Sequence, residues 1–124
     1  MRRKGVLRKL VVDDTVWLWG RRHRHPECRE ILSLRRTDTP HAQLRLVFRS
    51  GEGRAVAGFP LGEGEIIGGG GHWLNLNEPG VVRRFLDEAV ARGLLPVANG
   101  VTEEDGWPLF DAIVADRAPQ EDDR

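Results

Sequence analysis

A single cysteine, Cys28, stands in the 124-residue chain, so no internal disulfide can staple the fold, and a reducing compartment is the expected setting. No apolar run approaches the roughly 18 to 20 residues that cross a bilayer. With 31% charged residues, the composition predicts a soluble, cytoplasmic protein without membrane contact. The basic start, MRRKGVLRKLVV, lacks a signal-peptide core because Arg8 and Lys9 interrupt it, and no small-residue cleavage site follows. Lysine is scarce as well: arginine outnumbers it 17 to 2, a bias that a GC-rich genome produces and that does not by itself indicate nucleic acid.

Most chemical signatures are missing. The glycine run in GGGGHWLNLNEPG, residues 68 to 80, lacks the basic and hydroxyl residues of a phosphate-binding loop. Glu78 would itself occupy the positive end of the following helix, so the loop reads as a connection, with Trp73 and Leu74 anchoring its return. His23, His25 and Cys28 are competent zinc ligands, with His41 or His72 available to complete a set. Their spacing matches no zinc finger, however, and Arg21, Arg22, Arg24 and Arg29 oppose a divalent cation. The same arginines would favour a Cys28 thiolate, yet nothing marks an oxyanion hole or an orienting third group. Glu103, Glu104 and Asp105 read as solvated surface. The expectation is a protein without cofactor, metal or catalytic residues, a small zinc or cysteine enzyme being the remotest reading.

What is present is an uneven charge distribution and clear periodicity. Residues 1–50 hold 13 basic against 5 acidic side chains, and residues 51–124 hold 6 against 14, so halves of +8 and −8 cancel to a net charge of zero. Such polarity can orient the protein on a partner or on a second copy of itself. The first half predicts an antiparallel meander: VLRKLVV and TVWLWGRR joined at Asp13-Asp14, then REILSLRR and QLRLVFR across TDTPH, with RAVAGF as a possible fifth strand.

After residue 77 the period changes. In EPGVVRRFLDEAVARG, Val81, Val82, Phe85, Leu86, Ala89 and Val90 form one stripe of a helix. Asn77 suits the N-cap, Pro79 the first turn and Gly93 the C′ position, while Arg83 with Asp87 and Arg84 with Glu88 would pair on the outer face. Residues 108–117 repeat the pattern with Leu109, Phe110, Ile113 and Val114, which favours a short helix, although a strand would also fit. The length accommodates one α+β domain over residues 1–117, followed by an acidic flexible tail at 118–124.

The helix must cover one sheet face, and the alternation assigns Trp17, Trp19, Leu32, Leu34, Leu44, Leu46 and Phe48 to it. The other face would then carry Val16, Leu18, Ile31, Ser33 and Val47, rimmed by Arg22, Arg29, Arg35, Arg45 and Arg49. If the shorter C-terminal element packs at an edge, that face stays open; if it packs on the arginine side, a second core forms.

The order of LVVDDTVWLWGRRHRH, CREILSLRR, LRLVFR and LNLNEPGVVRRFLDEAVARG resembles a group of short actinobacterial proteins over roughly residues 6 to 95, most specifically in LNLNEPGVVRRFLDEA. The resemblance implies a bacterial, cytoplasmic, single-domain protein and carries no activity, cofactor or catalytic residue. The sequence therefore predicts a non-catalytic accessory or adaptor domain that binds a protein partner, or a second copy, through Arg22, Arg29, Arg35, Arg45, Arg49 and Trp73. The alternative is an RNA- or DNA-binding module using the same basic face.

Overall fold

In the computed structural model, which describes residues 7–24, 28–58 and 61–122, the chain is an α+β fold. It runs through β1 (Arg8–Val12), β2 (Thr15–Arg24), β3 (Arg29–Arg36), β4 (Ala42–Arg49), β5 (Ala55–Gly58), β6 (Leu61–Ile67), β7 (Trp73–Asn75), α1 (Pro79–Ala91), β8 (Gly100–Asp105) and α2 (Trp107–Asp122). A five-stranded sheet has the order β1-β2-β3-β4-β8, and a three-stranded sheet the order β5-β6-β7. The first four strands are mutually antiparallel, and β8 joins β4 in parallel.

Local chemistry explains the β1–β2 hairpin. Val12 pairs with Thr15, leaving the two-residue turn Asp13-Asp14, and Asp13 takes φ +56°, a left-handed conformation that a short polar side chain tolerates. Trp17, Trp19, Leu32, Leu34, Leu44, Leu46 and Phe48, the residues assigned to the covered face, are all buried in one cluster. Each large apolar side chain fully buried there contributes about 1.5 to 3 kcal/mol.

Two expectations are corrected and a third, the C-terminal helix, is found but longer. Residues 55–58 do not extend the meander; they start the second sheet, whose Val56, Ile66 and Leu74 enter the same core. The fifth strand of the main sheet is β8, from a stretch that reads as solvated turn. Its backbone pairs with β4 while only Thr102 and Glu104 are half-buried, so an edge position supports a strand that side-chain propensity does not favour. Residues 108–117 lie within a helix, and α2 continues past Arg117 to Asp122. Its Leu109, Phe110, Ile113 and Val114 join the cluster formed by α1 and the covered face, with Trp107 edge-on to both Phe48 and Phe110. Both helices therefore share one side of the main sheet.

At the start of α1 the N-cap is Glu78, without a side-chain cap bond. Asn77, expected in that role, instead accepts a hydrogen bond from Arg21 Nε at 2.9 Å. The helix ends as expected: Gly93, at φ +70°, donates to Val90 O and Leu94 donates to Ala89 O, each at 3.0 Å, the paired bonds of a Schellman motif. On the outer face Arg83 pairs with Asp87 at 3.0 Å, whereas Glu88 pairs with Arg92 at 2.9 Å rather than with Arg84.

Candidate functional site

The face of the main sheet opposite the helices carries seven basic residues. Strand register fixes its layout, because cross-strand partners share a face. One row is Arg24, Arg29 and Arg49; the next is Arg22, Ile31, Val47 and Asp105; the next is Gly20, Ser33, Arg45 and Glu103; the next is Lys9, Leu18, Arg35, Gln43 and Val101; the last is Val11 and Val16. All five arginines expected on the rim of this face stand there, joined by Arg24 and Lys9. Among the described residues, no helix or further strand packs on it.

The aliphatic residues of this face differ in depth: Val11 on β1 and Val101 on β8 are 60% and 51% exposed, and Val16 and Leu18 are half-buried. Ile31 and Val47 are buried, only 6% and 2% exposed, although they lie outside the helix-covered core. Their same-face neighbours are Arg22, Arg29, Arg45 and Arg49, and arginine stems lie along apolar surface while their guanidinium groups stay in water. Around Ile31 and Val47 the accessible surface is therefore arginine over aliphatic. Among the described residues the side chains of Arg22, Arg24, Arg35 and Arg49 have no hydrogen-bond or ion-pair partner, and Arg45 meets Glu103 only at 3.9 Å. Three arginines directly opposite one another, at 24, 29 and 49, form a like-charge row that disfavours the sheet by itself.

The centre of this face is depressed. Gly20 and Ser33 are cross-strand partners, and with no side chain on one and a short one on the other the surface sinks between their neighbours. The resulting depression, about 250 Å³, is lined by Leu7, Leu18, Arg21, Arg22, Arg35, Gln43 and Arg45 beside Gly20 and Ser33.

Several other arginines are engaged in structural contacts. Arg36 pairs with Asp38 at 2.7 Å, and Arg8 stacks over Trp19. Arg54 holds Asp111 through two bonds of 3.0 and 2.8 Å and lies over the Trp107 ring. That hydrogen-bonded carboxylate raises the Arg54 guanidinium above its ordinary range. On the helical side the acids are largely neutralised by neighbours, so a groove of about 640 Å³ between α1 and α2 is lined by Arg83, Arg84, Asp87, Glu88 and Asp116, a mixture that selects neither sign.

A second polar cluster is buried where the two sheets meet. Glu30, fully buried, accepts from Arg21 Nη1 at 3.1 Å, lies 2.8 Å from His23 Nδ1 and accepts the Gly64 amide at 3.1 Å. It was readable in the sequence: in REILSLRR, Glu30 is in phase with Leu32 and Leu34 and so points into the core. Enclosed and committed to three partners, it joins β2, β3 and β6. Gly64 belongs to this joint; its φ is +91°, and a Cβ there would come within 2.5 Å of Asn77 and 2.8 Å of Arg21. Gly64→Ala is expected to lower stability by about 1 to 3 kcal/mol through strain and crowding, read as a reduced denaturation midpoint.

The other sequence candidates are dispersed. His23 is held by Glu30, His25 lies outside the described residues, and Cys28 sits in the β2–β3 connection at φ +48°, where its carbonyl accepts from Ser50 Oγ at 3.5 Å. Among the described residues no three His, Cys, Asp or Glu side chains are grouped to hold a metal. Trp73 is half-exposed on β7, in the second sheet, away from the depression's lining; Leu74 alone anchors that strand, at 3% exposure against 52% for Trp73. The glycine run forms a single helical turn at Gly69–Gly71 between β6 and β7, with Gly68 packed against Phe110. No described helix is long and apolar enough to cross a membrane.

Compared with known proteins, the chain matches no protein family, no curated protein and no solved structure.

Proposed function

We propose that the chain is a non-catalytic binding module that receives an acidic segment of a protein partner on the open face of its five-stranded sheet. The observation that carries this reading is the set of arginines at 22, 24, 35 and 49 left without described partners on an uncovered face. A face of this kind steers an oppositely charged partner and fixes its register.

Two features favour protein over nucleic acid. The register rows of this face contain no aromatic residue on which bases would stack. Its β8 border carries Glu103 and Asp105, which repel a phosphate backbone running across the whole sheet but leave the arginines of β2 and β3 to a short acidic segment. A second copy is a poorer occupant, because Asp111, Asp87 and Glu88 on the helical side are already engaged by Arg54, Arg83 and Arg92.

The test is fluorescence anisotropy with a labelled Glu/Asp-rich peptide and a single-stranded oligonucleotide of equal length, at about 50 and 200 mM salt. The peptide is expected to bind, and Arg35→Glu with Arg45→Glu to weaken it by about tenfold or more, equivalent to about 1.4 kcal/mol. Preferential binding of the oligonucleotide, with a steep salt dependence, would transfer the face to nucleic acid. Unchanged peptide binding by a folded double variant would remove the face from the function. Light scattering at both salt concentrations should report a monomer; a salt-sensitive dimer would mean that the face is occupied by a second copy.

A further inference from the structure

We infer that the Gly20–Ser33 depression is a phosphoryl subsite, and that the acidic segment it receives carries a phosphorylated serine or threonine. This rests on the acidic-partner reading above and goes further in naming the group at its centre. Arg22, Arg35 and Arg45 reach the rim from three adjacent strands, β2, β3 and β4. The Ser33 side chain stands at the floor and Gln43 at the border.

Charge and donor count select the ligand. A carboxylate brings one negative charge and two oxygens to this rim, whereas a phosphomonoester brings a charge of about −1.5 to −2 and three acceptor oxygens. Guanidinium forks bind such oxygens in pairs. Arg35 Nε is buried with no acceptor among the described residues, and buried donors ordinarily have one. At about 250 Å³ the depression lies below the roughly 300 to 1,000 Å³ range of pockets for whole small-molecule ligands. It suits one group projecting from a longer chain.

The experiment uses the full chain and three labelled peptides identical except at one central position: phosphoserine, glutamate or serine. Phosphoserine is expected to bind about tenfold tighter than glutamate, the increment expected of one or two added charge-assisted hydrogen bonds. Arg35→Lys with Arg45→Lys keeps the charge and removes the forks, so it should bring the phosphoserine and glutamate peptides to within about twofold of each other, whatever affinity all three peptides lose in common. Circular dichroism confirms that the variant is folded, and Arg35→Lys alone is measured in its place if it is not.

Equal binding of the phosphoserine and glutamate peptides would overturn the subsite and leave the acidic-partner reading intact. Failure of all three peptides would overturn both. A phosphoserine preference that survives the lysine changes would move the phosphoryl group away from these residues. Inorganic phosphate is the competitor: millimolar phosphate should displace the phosphopeptide only weakly, and inorganic phosphate binding as tightly as the peptide would overturn the assignment to a phosphorylated partner.

Discussion

Replacing Glu30 by alanine is expected to lower the free energy of unfolding by about 3 to 5 kcal/mol, the usual consequence of removing one partner of a buried ion pair. The substitution removes the acceptor for Arg21 and for the Gly64 amide, and the anion beside His23. Arg21, whose side chain is only 17% exposed, keeps its bond to Asn77 but loses its buried counter-charge. Glu30→Gln keeps the shape and one acceptor oxygen, so its loss should be smaller, about 1 to 3 kcal/mol. Guanidinium denaturation of the three proteins checks the order. Amide exchange adds a local signature: because Glu30 ties Gly64 on β6 to the main sheet, β6 amides should exchange faster by more than the global loss explains. A Glu30→Ala protein within about 1 kcal/mol of the parent would show that apolar packing alone holds the two sheets together.

The parts of the fold visible in the sequence are those in which one periodic signal acts alone. Trp17, Trp19, Leu32, Leu34, Leu44, Leu46 and Phe48 alternate cleanly and are buried together, and the Val82, Phe85, Leu86 and Ala89 stripe identifies α1. The signal fails where tertiary pairing overrides local preference. GVTEED has no apolar alternation, yet it forms β8 because the backbone of β4 offers a parallel edge. LGEGEII is broken by two glycines and two acids, yet pairs with both β5 and β7. Asn77 resembles a cap in one dimension, but Arg21 lies 56 residues away in the chain and draws its side-chain oxygen elsewhere.

The candidate site divides along the same line. Its arginines are legible because every second residue of a strand shares a face. That the face stays open depends on α2 packing beside α1, which composition does not decide. The depression is less legible still: Gly20 becomes its floor only through the β2–β3 register that sets it opposite Ser33, and Arg45 reaches it only through the β3–β4 register. The buried Glu30 cluster lies between these cases, since the phase of Glu30 is local information whereas its partnership with Gly64 is not.

Phe48→Ala should cost about 3 to 5 kcal/mol, the range for a large aromatic removed from a packed core. Its ring is fully buried, lies edge-on to Phe85 at 5.4 Å and to Trp107 at 5.3 Å, and packs so closely on Gly106 that a methyl group there would collide with it. It thus touches α1, α2 and the β8–α2 connection at once, and the cavity left behind is bordered by aromatic rings fixed from three directions. Phe48→Leu, which refills most of the volume, should cost about 1 to 1.5 kcal/mol. Thermal and chemical denaturation read both values. The neighbouring residues Val47 and Arg49 point to the opposite face with Arg45, so the charges of the open surface are untouched. At a temperature where the Phe48→Ala protein is still folded, acidic-peptide affinity should therefore remain within about twofold of the parent, a difference of roughly 0.4 kcal/mol. Loss of affinity in the folded variant would mean that helix packing on one side sets the spacing of the arginines on the other, and the sheet could no longer be regarded as a rigid platform for its basic face.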